Sequence, residues 1–370
     1  MKAGIAVNAD ADLLRAAFPL FEQEKVGVVE WAFDTLYDQR TLPPWFEELL
    51  GHYSSEGALL GHGVFFSLFS ARWSPQQAAW LTALKALSRR FSFDHVTEHF
   101  GFMTGSDFHK GAPLNIPYNH TTLAIGQDRL ARIQDACGCP VGLENLAFTW
   151  SADEAKKQGS FLEKLVTHVN GFIILDLHNL YCQLHNFKLG FEDMARFYPL
   201  HLVREIHISG GSWDSVAGRQ IRRDTHDDQV PADVFDLLEM AIPLCPNLRF
   251  VILEQIGQGL VTGESQMQYQ KDFLRLEMML QHIPVDSGGR LDFSPLLPAF
   301  PSVPPEDILL AGQQSELCRM LESTESYEQL QHELKNSGIC GTDWAIESWE
   351  PEMLETARRI AAKWKNGFFE

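Results

Sequence analysis

No apolar run in the 370 residues approaches the length of a membrane-spanning helix, which is roughly 18 residues or more. No membrane association is expected. The amino terminus, Met1 to Leu13, carries Lys2 and then Asn8, Asp10 and Asp12. It lacks the apolar centre of a secretory signal, so a cytoplasmic location is expected. Cysteine is scarce. The six residues form no CxxC pair, and Cys137 and Cys139 stand only two apart. Reduced thiols serving as core fillers are the reading. Basic residues are also few: 30 Lys and Arg against 49 Asp and Glu give a formal charge of −19. That balance opposes binding to nucleic acid and suits cationic partners, metal ions among them. Finally, the first apolar run continues as GIAVNADAD, with no GxGxxG phosphate loop behind it, which weighs against an open doubly wound sheet.

What is present is a repeated alternation. Apolar runs stand at Gly4–Asn8, Val26–Phe33, 59–66, His95–Phe100, Val141–Leu146, Phe172–Asn179, Glu205–Ser209 and Arg249–Gln255. Short runs of this kind read as strands buried on both faces. Between them lie helical stretches at Asp12–Lys25, Pro44–His52, Pro75–Arg90, Asp128–Ala136, Ala152–His168, Phe191–Phe197 (weak), Pro231–Ala241 and Gln266–His282. Residues 101–125 and 210–230 read as long loops. Eight alternations over residues 4–282 predict an α/β fold, a (β/α)8 TIM barrel with a parallel sheet. Residues 1–284 are assigned to the barrel. Residues 285–370 open on a Gly/Pro-rich linker and hold 7 basic against 15 acidic residues, net −8. They read as an acidic helical C-terminal extension.

The polar residues gather at the carboxyl ends of the strands. His62, His99, Glu144, Asp176, His207 and Glu254 each end one of six successive strands, the third to the eighth. Asn179 lies just past the sixth, and Asp224 and His226 lie in the loop after the seventh. In a parallel barrel these ends share one face. A lone histidine at a strand end is more often a hydrogen-bonded core residue, and His95 is read so. Six converging groups are harder to explain that way. Buried carboxylates must be protonated, paired or metal-bound, and few basic residues are placed to pair with them. Imidazole and carboxylate without thiolate point to iron, manganese or zinc. The surplus of candidates points to two or three ions. His178 and His185 are as readily outer supports as ligands. Glu30, Glu98 and Asn145 either orient ligands or are solvated. Arg219, Arg222 and Arg223 either bind a substrate carboxylate or form a solvated face.

In order, the motifs are GHGVFFS around His62, TEHF around His99, GLEN at Glu144, ILDLHN at Asp176–Asn179, IHISGG at His207, DTH at Asp224–His226 and LEQ at Glu254. This series resembles the multinuclear non-haem iron-dependent oxidative enzymes, the family of the methanobactin-biosynthesis oxidase and the 3-thiaglutamate-biosynthesis enzyme. The resemblance covers residues 4–282. It implies a xylose isomerase-like barrel, two to three iron ions, and dioxygen as co-substrate for modifying a cysteine in a ribosomally made precursor peptide. A companion peptide-recognition protein is also implied. Carried onto this chain, His62, His99 and Glu144 form one iron site. Glu144, Asp176, His207 and Glu254 form its bridged neighbour. Asn179, Asp224 and His226 form a third. Asp176, His207 and Glu254 are the candidate catalytic positions. Two departures stand out: the turn after the seventh strand reads Ser209-Gly210-Gly211 where the family usually has a second His, and His178 stands beside Asn179.

The arginine-bearing loop favours excision of the β-carbon of a C-terminal cysteine, as in 3-thiaglutamate formation. Oxazolone and thioamide formation is the alternative within the family. Outside it, the rival is a redox-neutral, metal-dependent sugar isomerase or phosphodiesterase-like barrel. A sugar isomerase wants a lysine near the metals, and none lies at these strand ends.

Overall fold

The computed structural model describes residues 1–36, 42–105, 110–282, 291–296 and 298–365. The boundary placed between residues 284 and 285 lies outside the described residues. Eight parallel strands close a barrel: β1 (Lys2–Val7), β2 (Val28–Ala32), β3 (Leu59–Gly63), β4 (Val96–His99), β5 (Val141–Glu144), β6 (Phe172–Asp176), β7 (Val203–Ile208) and β8 (Phe250–Leu253). Each strand pairs with its sequence neighbours. Closure comes from β1 on β8, with Lys2 opposite Phe250 and Ile5 opposite Leu253. The strand interiors are nearly solvent-free, as expected when helices cover the outside and side chains fill the inside. This is the predicted (β/α)8 TIM barrel.

The covering helices are α1 (Ala11–Glu22), α2 (Pro44–Ser55), α3 (Pro75–Arg90), α4 (His120–Cys137), α5 (Ala152–Val166), α6 (Leu177–Phe187), α7 (Ala232–Ala241) and α8 (Gly263–His282). Their starts carry local signals. Ser74 and Gln77 form a reciprocal capping box with Pro75 at the first helical position, and Asn119 caps α4. No helix among the described residues is long and apolar enough to cross a membrane.

Several elements differ from expectation. The loop expected at 101–125 holds a short antiparallel pair, Phe102–Met103 against Pro113–Leu114, and α4 begins inside it at His120 instead of Asp128. The stretch Phe172–Asn179 is divided: β6 ends at Asp176, whose side chain caps α6, so Leu177, His178 and Asn179 form that helix's first turn. The weak helix expected at Phe191–Phe197 is five residues long, Phe191–Ala195. The loop 210–230 contains an antiparallel hairpin, Trp213–Val216 against Arg219–Arg222. Its turn residues Ala217 and Gly218 both have positive φ, 50° and 78°, the geometry whose twist suits a two-residue hairpin.

After the barrel come α9 (Ile308–Ser323), α10 (Tyr327–Lys335) and α11 (Pro351–Trp364). They are tied to the loops that follow the carboxyl ends of the strands. Trp349 stacks on Trp150 with centroids 3.7 Å apart, and Glu350 N donates to the Trp150 carbonyl at 2.9 Å. Gly111 N donates to the Trp364 carbonyl at 2.9 Å. Arg359 pairs with Asp214 of the hairpin at 2.8 Å, and Arg219 with Glu350 at 3.3 Å. The linker is caught by α4, where buried Arg129 donates to the Pro305 carbonyl at 2.9 Å and lies over the Trp73 ring.

Candidate metal centre

Side chains two apart on a strand face the same way. That period brings Glu205 and His207, or Thr97 and His99, onto one lining of the barrel. At the mouth, one nitrogen each from His62 and His99 and one oxygen from Glu144 lie within 4.8 Å of one another. His62 Nε2 is 3.3 Å and His99 Nε2 3.4 Å from Glu144 Oε2. A second group, sharing Glu144, joins Asp176, His207 and Glu254 within the same 4.8 Å limit. His226 adjoins it, with Nδ1 3.5 Å from Glu254 Oε2.

Most of these groups are buried, with His99, Glu254 and His226 half-buried, and many of their atoms lack partners. His62 Nε2, Glu144 Oε2, Asp176 Oδ2, Asn179 Oδ1, His226 Nδ1, Glu254 Oε2 and both His207 ring nitrogens make no hydrogen bond. Orphaned buried polar atoms are rare and call for an explanation. Here the orphans belong to residues whose other atoms are tightly held. Asn179 Nδ2 donates to Glu144 Oε1 at 3.0 Å, leaving Oε2 bare. Asn179 N donates to Asp176 Oδ1, leaving Oδ2 bare. Thr97 Oγ1 donates to the Gly61 carbonyl and sits 2.8 Å from His62 Nδ1. The ring must therefore donate from Nδ1, which turns the Nε2 lone pair to the mouth. A set of fixed, bare, convergent oxygens and imidazole nitrogens, without thiolate, fits a cluster of divalent cations.

The electrostatics agree. Burial pushes the Glu144 carboxyl well above its ordinary range. Burial, with the Asp224 charge nearby, lifts Asp176 to about 7. Burial drives His62 well down and His99 to about 4. A cation would reverse the two carboxyl shifts and deepen the two histidine shifts, since it favours both the carboxylate and the neutral, lone-pair imidazole. His207 is held high instead: burial opposes its charge, but Glu30, Glu205 and Glu254 surround it.

The other candidates fall around this core. Asp224 gives Oδ1 to His178 Nδ1 and Oδ2 to His226 Nε2, both at 2.9 Å. Arg222 Nε donates to His178 Nε2 at 3.1 Å. His178 is thus neutral with both nitrogens engaged, and it orients Asp224 rather than offering a lone pair. Gly211 explains one departure in the motif series. A Cβ there would lie 2.2 Å from the Arg223 carbonyl and 2.8 Å from His178 Cε1, so no side chain fits. Arg223 pairs with Asp214 at 3.4 Å, and Arg219 with Glu350 and Glu352. Arg222 is buried, lies over the Trp213 ring, and has an Nη2 without a partner. His185 meets the Trp213 ring. Asn145 brackets Asp176, donating to its carbonyl and accepting from its amide.

Glu205 and Thr97 were not singled out from the sequence, and their period-two spacing from His207 and His99 is the signal that marks them. Below the mouth, His207 Nε2 lies 3.3 Å from Glu30 and 3.6 Å from Glu205. Glu205 accepts from His95 Nε2 at 2.7 Å, and His95 Nδ1 meets Asp94 at 2.9 Å. His95 is the hydrogen-bonded core residue it was read to be.

The sequence profile of the family described as "RiPP precursor modification enzyme MbnB/TglH/ChrH" matches residues 20–256. The chain belongs to this family. The MbnB/TglH/ChrH match takes in β2 through β8 and every mouth residue from His62 to Glu254; α9–α11 lie beyond it. A UPF0276 protein of Caulobacter vibrioides is 29% identical over 181 residues, 49% of this chain and 62% of that protein. One from Bordetella pertussis is 32% identical over 194 residues, 50% of this chain and 65% of that protein. The chain thus spans less than two thirds of the length of these relatives. Among solved structures, the IolI protein with a bound zinc atom aligns with 75% of this chain and 98% of its own, at 13% identity and a TM-score of 0.49.

Proposed function

We propose that the protein is an iron- and dioxygen-dependent enzyme that oxidises a cysteine of a ribosomally made precursor peptide, working with a companion protein that recognises the peptide. The observation that carries this reading is the set of bare, fixed nitrogen and oxygen atoms at the mouth of a barrel from a precursor-modifying family. His62, His99 and Glu144 would hold one iron. Glu144, Asp176, His207 and Glu254 would hold a second. His226, oriented by Asp224, would face a third together with Asn179. Bound iron supplies a Lewis acid that lowers a substrate thiol's pKa and a redox centre that can use dioxygen.

The chain's own residues do the positioning. Thr97 fixes the His62 tautomer, and Glu30 and Glu205 face His207 Nε2, so that His207 Nδ1 is the nitrogen left for the mouth. Asn179 holds one oxygen of Glu144 and turns the other inward. Arg222, with a buried unpartnered Nη2, is the donor best placed for a substrate carboxylate. That placement favours a cysteine at the peptide's C-terminus and excision of its β-carbon over oxazolone and thioamide formation.

The test is anaerobic loading with ferrous iron, followed by metal analysis and by addition of Cys-terminated peptides and dioxygen. Two to three irons per chain, oxygen uptake and a mass change confined to cysteine peptides are expected. Stoichiometric zinc with no oxygen uptake overturns the reading and favours redox-neutral chemistry.

A further inference from the structure

A cavity of about 300 Å³ lies apart from the metal cluster, between the barrel and the C-terminal helices. One wall is the segment Asn115–Tyr118 that follows β4. Another is the first half of α5, from Ser151 to Phe161. Asp343 to Ser348 of the extension form the third. Two of these walls are βα connections of the strands carrying His99 and Glu144, so the cavity opens on the catalytic side.

Its lining is incompletely satisfied. Gln158 is 2% exposed. Its Oε1 accepts from Tyr198 Oη at 2.8 Å and Gln183 Nε2 at 3.3 Å, while its own Nε2 has no partner. The Tyr118 hydroxyl is likewise buried and unpartnered. Glu154 takes both its side-chain bonds, from Asn115 Nδ2 (2.9 Å) and Trp150 N (3.1 Å), on Oε2, which leaves Oε1 for the cavity. Asp153, Glu154 and Asp343 line the cavity with Lys157, three carboxyls to one ammonium; Asp343 Oδ2 accepts from Asn119 Nδ2 at 2.8 Å. Burial pushes Glu154 up to about 7, against the hydrogen bonds from Asn115 and Trp150 and the charge of Lys157, which lower it.

An acceptor-rich wall calls for a cation, and two orphaned donors call for a carbonyl beside it. The volume is at the lower end for ligand sites and suits one residue rather than a folded segment. We infer that this cavity binds a single basic residue of the peptide substrate, its guanidinium or ammonium against Glu154 and Asp343 and its main-chain carbonyl against Gln158 Nε2 and the Tyr118 hydroxyl. That the basic residue belongs to a substrate peptide rests on the function proposed above; the binding chemistry does not.

The test is calorimetric titration of the full-length protein with capped single residues, which needs neither metal nor turnover. Acetyl-arginine methylamide should bind saturably. Its citrulline isostere should bind at least tenfold more weakly, and n-butylguanidinium, which lacks the carbonyls, at least fivefold more weakly. Glu154→Gln should cost about tenfold. Exposed Asp343→Asn, which does not threaten folding, should weaken binding about threefold, and Lys157→Gln should strengthen it. Equal binding of arginine and citrulline probes, or no saturation in wild type and Lys157→Gln alike, overturns the site. Binding equal to that of n-butylguanidinium overturns the peptide assignment in favour of a free cation. If the probe binds as expected while loaded enzyme oxidises no cysteine peptide, the cavity stands and the proposed function fails.

Discussion

Two stacked sets of histidines and carboxylates fill the barrel, and they differ in how fully they are paired. On the floor, Glu205, His95, Asp94 and Arg204 alternate in charge, with successive contacts of 2.7, 2.9 and 2.7 Å. At the mouth, the same residue types face one another with bare atoms. The floor is an ion chain of the kind that is costly to break, though Glu205 Oε1, Arg204 Nε and the neighbouring Glu30 Oε2 stay bare. The mouth is a site where the missing partner is a cation. His207 is the hinge between them, with Nε2 toward the floor acids and Nδ1 toward Glu254. Residue type alone does not distinguish the two sets; the mouth differs in having bare atoms on nearly every one of its residues.

Substitution should separate the two sets most strongly in function. Asp176→Ala removes the bare oxygen shared with Glu144, His207 and Glu254. We expect loss of at least one bound iron and a fall in turnover of about 100-fold or more, in the upper range for disturbing a metal site, measured by metal analysis and peptide mass shift.

Stability should split the other way. In metal-free protein, His95→Leu takes the hydrogen-bonded partner from the buried Glu205 carboxylate and should cost about 3–5 kcal/mol in urea unfolding. Asp176→Asn removes a charge that burial disfavours and should leave metal-free stability unchanged or raised. A reversed order would break the comparison.

The two sets should also differ in pH response. On the floor, burial would raise Asp94, but His95 and Arg204 hold it below its ordinary 3.8. Its stabilisation is therefore present above pH 3.8 and is lost as pH falls through the lower folded value. Burial would lower His95, but Glu205 and Asp94 raise it above 6.5. Its stabilisation is present below 6.5 and is lost as pH rises through the higher folded value. At the mouth Glu144 and Asp176 have the opposite sign, while Glu254 and His226 shift as the floor groups do. Asp176, lifted to about 7, destabilises the metal-free fold increasingly from pH 4 to 7, and metal binding should release protons over that range. Calorimetry in buffers of different ionisation enthalpy measures this; proton release independent of pH would contradict it.

The smallest effect is expected at the hairpin. Arg359→Ala removes a partly exposed pair with Asp214 and should cost about 0–1 kcal/mol. Because the hairpin carries Arg222, which holds His178 and through it Asp224 and His226, occupancy of the third position should fall more than stability does.

Much of this was legible in the residues. All eight strands were visible as apolar runs because parallel strands are buried on both faces. The mouth residues were visible because each ends such a run. Helix α6 was obscured because its buried face includes His178, Asn179, Gln183 and Asn186, which erases the apolar stripe that marks a helix. The hairpin was obscured because Ala217 takes a positive φ usually signalled by Asn, Asp or Gly. The floor chain was invisible because Glu205, His95 and Asp94 meet only when β4 and β7 face each other across the barrel.

The most direct test of the account is iron stoichiometry after anaerobic reconstitution, wild type beside Asp176→Ala, with folding checked by circular dichroism. The account predicts two to three irons per chain in wild type and at least one fewer in the variant with its fold intact. Traces of iron in wild type at saturating metal, or equal iron in both proteins, would contradict it.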